Sequence, residues 1–342
     1  MLRCAVTKTA SVVPHRLMTN KILDRKFSLA PMMDWSDRHC RYFWRLLTQR
    51  AVVYSEMVTT GALIYGDAHR HLEYNDEEHP IALQLGGSNP EDLAKACKWG
   101  EQYGYDEINL NVGCPSDRVQ NNMIGACLMA HADLVNTCLT AMREACTQAD
   151  VTVKHRIGID DLDSENFLHD FVGEVSQSGC KTFIVHARKA ILQGLSPKEN
   201  REIPPLNYER VYRLKKLFPN LEIIINGGIK TIKECQEHLE HVDGVMIGRE
   251  AYQHPWLLAE VDAEIYQEQS ALQTRHDIVR AMYPYIERQL ARGQKLSYIT
   301  RHMLGIFHGQ KGGKQFRRYL SENAHKPGAD SAVLEQALSY VS

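Results

Sequence analysis

The chain has 342 residues, of which 44% are apolar and 24% charged. That is ample for a packed core, and too long for one ordinary domain unless the fold is a large barrel. No window approaches the roughly 18 uninterrupted apolar residues of a membrane helix, and no charged-apolar-small signal pattern opens the chain. The nine cysteines show no C-x-x-C pair and no Cys/His ladder at zinc spacing. A reducing cytoplasmic setting and no metal are therefore expected. Cys40, Cys97, Cys138, Cys146, Cys180 and Cys235 fall in helix-like stretches and read as small buried hydrophobes.

Formal charge is −2, unevenly spread. Residues 1–26 carry six basic side chains and one acid, and read as a basic, disordered leader or an upstream start, with Met18 as a later one. From Ala271 onward there are 11 Lys+Arg against 5 Asp+Glu. An acidic body with a basic tail suits a polyanionic partner.

Eight short apolar runs then follow in order: "FSLAP", "AVVYSE", "IALQLGG", "EINLNVG", "VTVKHRIG", "TFIVHAR", "EIIINGG" and "GVMIGR". Stretches of helical period separate them, two opened by good caps: Asn89 before Pro90, and Ser164 before Glu165. Eight strands alternating with helices predict an α/β fold, a (β/α)8 TIM barrel over 27–265. A doubly wound open sheet is the competing fold, disfavoured because no G-x-G-x-x-G follows the first strand. After Ala271 strand runs stop, and "HDIVRAMYPYIERQLARG", "SYITRHMLGIFHG" and "GGKQFRRYLSENA" predict about three helices in a helical domain over 271–342.

Most runs end in a polar residue or glycine: Asp34, Glu56, Gln84, Asn111, Lys154, His186, Asn226, Arg249. In a barrel these ends meet at one catalytic face. In "EINLN" one parity, Ile108 and Leu110, suits the helical shell, and the other aims Asn109 and Asn111 at the axis.

At that face "NGG" after the seventh strand and "GR" after the eighth suit a phosphate cradle, with Arg249 adding a fork. Lys154, with Gln84 and His186 nearby, could stabilise an anionic flavin edge or form a Schiff base. Cys114, fixed between Gly113 and Pro115, could act as nucleophile, proton donor or buried thiol. Arg188, Lys189, Lys198 and Arg201 populate a loop of ~20 residues, longer than a barrel loop usually is. Lys311, Lys314, Arg317 and Arg318 form a second basic set, and the two together suit a phosphodiester ligand.

Taken together, "APMMDWSDRHCRYF", "ALQLGG", "EINLNVGCPSDRVQ", "VTVKHRIGID", "HARKAILQGLSPKENREIPPL", "INGGI" and "GVMIGREAYQ" resemble the tRNA-dihydrouridine synthases. "SPKENREIP" is similar to the bacterial A subfamily, and the resemblance covers residues 27–320. It implies an FMN enzyme that uses NADPH to reduce the C5–C6 bond of a D-loop uridine of tRNA, at positions 20 and 20a. It implies FMN contacts at Pro31, Met32, Met33, Gln84, Lys154, His186, Asn226, Gly227, Gly228, Gly248 and Arg249, with Cys114 as proton donor. It implies tRNA contacts at Asn111, Lys198, Arg201, Lys314 and Arg317. A monomer without metal or membrane attachment is expected. An FMN barrel oxidoreductase acting on a free small molecule is the alternative, and a Schiff-base aldolase through Lys154 a further one.

Overall fold

A computed structural model describes residues 23–116, 123–269 and 274–341. Most of the basic leader and the end of the "EINLNVGCPSDRVQ" stretch lie outside the described residues. Eight parallel strands close into a barrel in sequence order, with β8 pairing back onto β1. The strands are β1 Phe27–Leu29, β2 Val52–Thr59, β3 Ile81–Gly86, β4 Glu107–Val112, β5 Asp150–Arg156, β6 Thr182–His186, β7 Glu222–Asn226 and β8 Gly244–Ile247. Every run read from the sequence is a strand. The second runs longer than expected because its register slips between Tyr54 and Met57.

Strand parity sorts the core. Ile108, Leu110 and Val112 face outward into the large apolar cluster under the helices. The barrel interior is divided. Ala30, Val52, Tyr54, Ala82, Ile184, Ile224 and Met246 form a small apolar cluster of their own. On the β3–β5 side, buried polar groups replace it: Gln84, Glu107, Asn109, Asn111 and Thr152. Buried polar groups are tolerable only when hydrogen-bonded, and each of these is. Beneath them Arg25, counted with the basic leader in the sequence, is only 4% exposed. It bonds Glu107 at 2.7 Å, Asp150 at 2.6 Å and Glu222 at 3.1 Å, closing the floor of the barrel.

The C-terminal region is helical but more finely divided than expected. Its helices are Arg275–Ala281, Tyr283–Ala291, Leu296–Thr300, Gly313–Asn323 and Ser331–Leu338. The first expected helix breaks at Tyr283–Pro284, since Pro cannot sit inside a helix without losing a bond. The second is helical only to Thr300 and continues as turns. This region shares one apolar core with the barrel shell. Tyr285 stacks on Tyr42 at 4.0 Å and its hydroxyl bonds His39 at 2.6 Å. Trp35, in the loop after β1, stacks on Tyr252 at 4.4 Å. Asp37 caps the helix Arg38–Leu47 and also pairs with Arg301 and His302.

Cys97 and Cys146 are buried as expected, but they are paired. Cys97 and Cys146 form a disulfide that ties helix Pro90–Tyr103 to the residue capping helix Ala132–Ala145. Connectivity across 49 residues has no signature in spacing. Cys40, Cys138, Cys180 and Cys235 are free and buried, as expected.

Candidate active site

The C-terminal strand ends form the site. Register sets Asn111 of β4 beside Lys154 of β5, Arg156 beside His186 of β6, and His186 beside Asn226 of β7. Gln84 of β3 bonds Asn111 at 2.8 Å. These expected site residues therefore share one mouth.

Cys114 stands half-buried on the corner after β4. The Asn111 side-chain carbonyl holds that corner, accepting from the backbone N–H of Gly113 at 3.0 Å and of Cys114 at 2.9 Å. The chain returns over the corner at Gly125, and Ala126 N–H donates to the Cys114 carbonyl at 2.8 Å. Gly125 has φ +87° and ψ −139°, a region that only glycine occupies readily. A Cβ there would lie 2.4 Å from the Cys114 carbonyl oxygen. Gly125→Ala is expected to shift the Cys114 corner and, if that thiol reacts, to slow turnover by about tenfold to a hundredfold, the cost of misplacing a reacting group by up to an ångström. Steady-state kinetics checks this.

Lys154 is partly buried, and its ammonium makes no hydrogen bond or ion pair with any described residue. Burial, and then Arg156 beside it, pull its ammonium down to about 7, while Cys114 acts the other way. His186 is held neutral, well below its ordinary value, by burial and by Arg156, Lys154 and Arg188. Its Nδ1 is buried without a partner among the described residues. The ring lies against Gly227, its Cε1 and Nε2 3.4 Å from where a Cβ would be. Gly227 and Gly228 have φ of +120° and +74°, so both turn residues require glycine. The Gly227 carbonyl accepts from Tyr208 at 2.8 Å. Asn226 spends its amide N–H on the Met246 carbonyl at 2.8 Å, closing the β7–β8 edge.

Opposite these, Pro31 and Met32 are half-buried after β1 and Met33 is 58% exposed. Met32 N–H donates to Ser36 at 2.9 Å. Its sulfur lies 3.6 Å from the Cβ position of Gly248, so β1 and β8 loops touch. The Arg249 guanidinium reaches Glu202 at 2.8 Å and the Arg201 carbonyl at 3.2 Å, bridging the β8 end to the long loop.

Arg156 was not singled out in the sequence, yet it shares Lys154's parity and so faces the same interior. It is 4% exposed and has no carboxylate partner among the described residues. Its guanidinium instead grips three carbonyls: Gly113 at 2.8 Å, Lys189 at 3.0 Å and Asn200 at 3.1 Å. It thereby joins the Cys114 corner to the loop after β6. Asn200, fully buried, organises that loop through Ile191, Leu195 and Ser196.

The basic surfaces are narrower than the sequence suggests. Arg188 turns inward to the carbonyls of Glu202 and Pro204, and Lys189 pairs with Asp163 at 2.7 Å. Lys198 and Arg201 stay exposed with no side-chain bond among the described residues. In the tail, Arg318 pairs with Glu322, and Lys311 precedes the helix Gly313–Asn323. Lys314 and Arg317 remain exposed one turn apart on that helix, while Phe316 and Leu320 bury its other side.

Three comparisons bear on this site. The family model described as dihydrouridine synthase matches residues 28–342. The chain belongs to the dihydrouridine synthase family. A Salmonella typhi relative named tRNA-dihydrouridine(20/20a) synthase is 62% identical over 93% of this chain and 95% of its own length. Relatives of the same name from Escherichia coli K12 and Vibrio vulnificus are 62% and 61% identical, over 93% and 92% of this chain and 92% and 97% of theirs. Among solved structures, an old yellow enzyme homologue from Zymomonas mobilis aligns over 70% of this chain and 89% of its own, with TM-score 0.52 and 12% identity. Morphinone reductase aligns over 69% and 84%, with TM-score 0.51 and 13% identity. At those identities the likeness is one of fold.

Proposed function

We propose that this dihydrouridine synthase family member reduces the C5–C6 double bond of uridine at positions 20 and 20a of tRNA, with FMN as cofactor and NADPH as reductant. The carrying observation is the convergence of an unpaired Lys154, an orphaned His186 Nδ1 and the Cys114 corner at one mouth, in a chain 62% identical to relatives of that name.

The mouth fits a flavin. A buried ring nitrogen and an ammonium without partners among the described residues call for an external ligand with polar edges, an anionic one beside Lys154. Lys154, His186 and Gln84 would hold the ring. Pro31, Met32 and Met33 would flank it, and Asn226, Gly227, Gly228, Gly248 and Arg249 would take the phosphate end. When bound and reduced, flavin supplies two electrons and one hydrogen to C6 of the uracil. Cys114 gives its thiol proton to C5, which completes the saturation.

The target base lies inside folded tRNA and has to leave its stack, at a cost of a few kcal/mol. Exposed Lys198 and Arg201 on the β6 loop and Lys314 and Arg317 on the tail helix offset that cost through phosphate contacts. Arg156 fixes the first pair relative to Cys114. Asn111 orients the thiol's backbone and would contact the RNA beside it.

The direct test incubates the purified protein with NADPH and an unmodified tRNA transcript, then maps dihydrouridine. Product at 20 and 20a is expected, and a protein equally active on free uridine, or inactive on tRNA, refutes the reading. Lys314→Ala with Arg317→Ala should lower the slope of log affinity against log salt by about 1.5–2, one counterion release per lost phosphate contact. Flavin reduction by NADPH should be unchanged. An unaltered slope removes this helix from the RNA surface.

A further inference from the structure

The polar column inside the barrel has a direction. At its floor Glu107 is fully buried and ion-paired to Arg25, whose Nε donates at 2.7 Å. A carboxylate only accepts. Thr152 therefore donates its hydroxyl proton to Glu107 at 2.6 Å, and Tyr54 donates to the same oxygen. Having spent its proton, the Thr152 oxygen accepts from Asn109 Nδ2 at 2.8 Å. That leaves Asn109 Oδ1 to accept from Gln84 Nε2 at 2.8 Å. Gln84 Oε1 in turn accepts from Asn111 Nδ2 at 2.8 Å. Asn111 Oδ1 is then free to accept the backbone N–H groups of Gly113 and Cys114. The upper end demands the same polarity independently, because backbone N–H groups only donate. Amide orientations are ordinarily ambiguous, but here both ends of the chain fix them.

The geometry points to Glu107 as a remote positioning residue for the reaction: its acceptor-only carboxylate sets, through Thr152, Asn109, Gln84 and Asn111, the orientation of the carbonyl that holds the Cys114 corner. This rests on the proposed role of Cys114 for its effect on turnover, but the polarity itself does not depend on that role.

Glu107→Gln tests it by reversing the column. Arg25 Nε still requires an acceptor, so the new amide turns its oxygen to Arg25 and its N–H groups to Tyr54 and Thr152. Thr152 then donates upward, each amide flips, and Asn111 presents N–H to the N–H groups of Gly113 and Cys114. Thr152→Val cuts the column without reversing it. The expected results are a fall of at least about tenfold in tRNA turnover for Glu107→Gln and less than about threefold for Thr152→Val. The double variant should recover toward the Thr152→Val level, since a severed column cannot carry the reversal. Loss from buried polar mismatch alone would instead accumulate in the double variant, and that outcome overturns the proposal, as does full activity in Glu107→Gln.

Amide-proton Overhauser contacts in the wild-type protein read the polarity without any substitution. The Asn111 Nδ2 protons should lie near Gln84 and not near the Cys114 N–H, and the reverse pattern overturns the proposal even if Glu107→Gln does not fold. Wild-type protein that makes no dihydrouridine would remove the functional reading and leave this contact pattern as a separate result.

Discussion

Cys114→Ala should bind flavin and tRNA as the parent does and lose about 10²–10⁴-fold in turnover, the range that a positioned proton donor contributes. The substitution removes one sulfur atom from a half-buried corner whose backbone is held from elsewhere. Asn111 Oδ1 and Ala126 N–H grip the main chain at residues 113 and 114, not the thiol. The site should therefore survive the loss. NADPH should still reduce the bound flavin, and the second half of the cycle, oxidation by tRNA, should stall. Rapid mixing of pre-reduced protein with tRNA separates the halves. Reoxidation at the parental rate would take Cys114 out of the reaction.

Lys154→Met should release flavin. A charge-assisted bond contributes about 1.5–3 kcal/mol, so binding weakens by roughly ten- to hundredfold, read by fluorescence of the free cofactor. The same variant makes a pH prediction for flavin-free protein. Burial and Arg156 bring Lys154 to about 7 in the folded chain. An unfolded lysine titrates near ~10.4. Between those values the unfolded state holds a proton that the folded state has released, so stability rises with pH across that window. Below the folded value the penalty for a desolvated ammonium is complete. Melting temperatures from pH 7 to 10 should therefore climb in the parent relative to Lys154→Met. Parallel curves would mean that Lys154 is not desolvated.

The barrel was legible because its strands carry two signals at once. Buried parallel strands read as short apolar runs, and polar residues mark the ends that face the site. Parity in "EINLN" separated the shell-facing Ile108 and Leu110 from the axis-facing amides, as the packing bears out. Applied one strand further, the same rule puts Thr152 and Arg156 inside with Lys154. What parity could not supply is partnership. Arg25 looks like one more basic residue of a leader until three carboxylates from β4, β5 and β7 close around it. The clamp of Arg156 on three carbonyls is likewise invisible, because backbone acceptors have no sequence signature. The tail was read too coarsely because its helices are short and their boundaries lie in Pro284 and in turns.

Asp37 ties the loop after β1 to the C-terminal region. Its carboxylate caps the helix after β1 while holding Arg301 at 2.6 Å and His302 at 3.0 Å. Burial would raise that carboxyl, but the His302 and Cys40 bonds hold it well below the ordinary range, so Asp37 stays ionised. With Trp35 and Tyr252 stacked beside it, the loop next to the barrel mouth and the turns leading to Lys314 are bolted together. If the proposed RNA surfaces hold, the molecule would act as a calliper, with a gap that these contacts help to set. On the proposed reading, an RNA would be gauged by whether its backbone spans that gap.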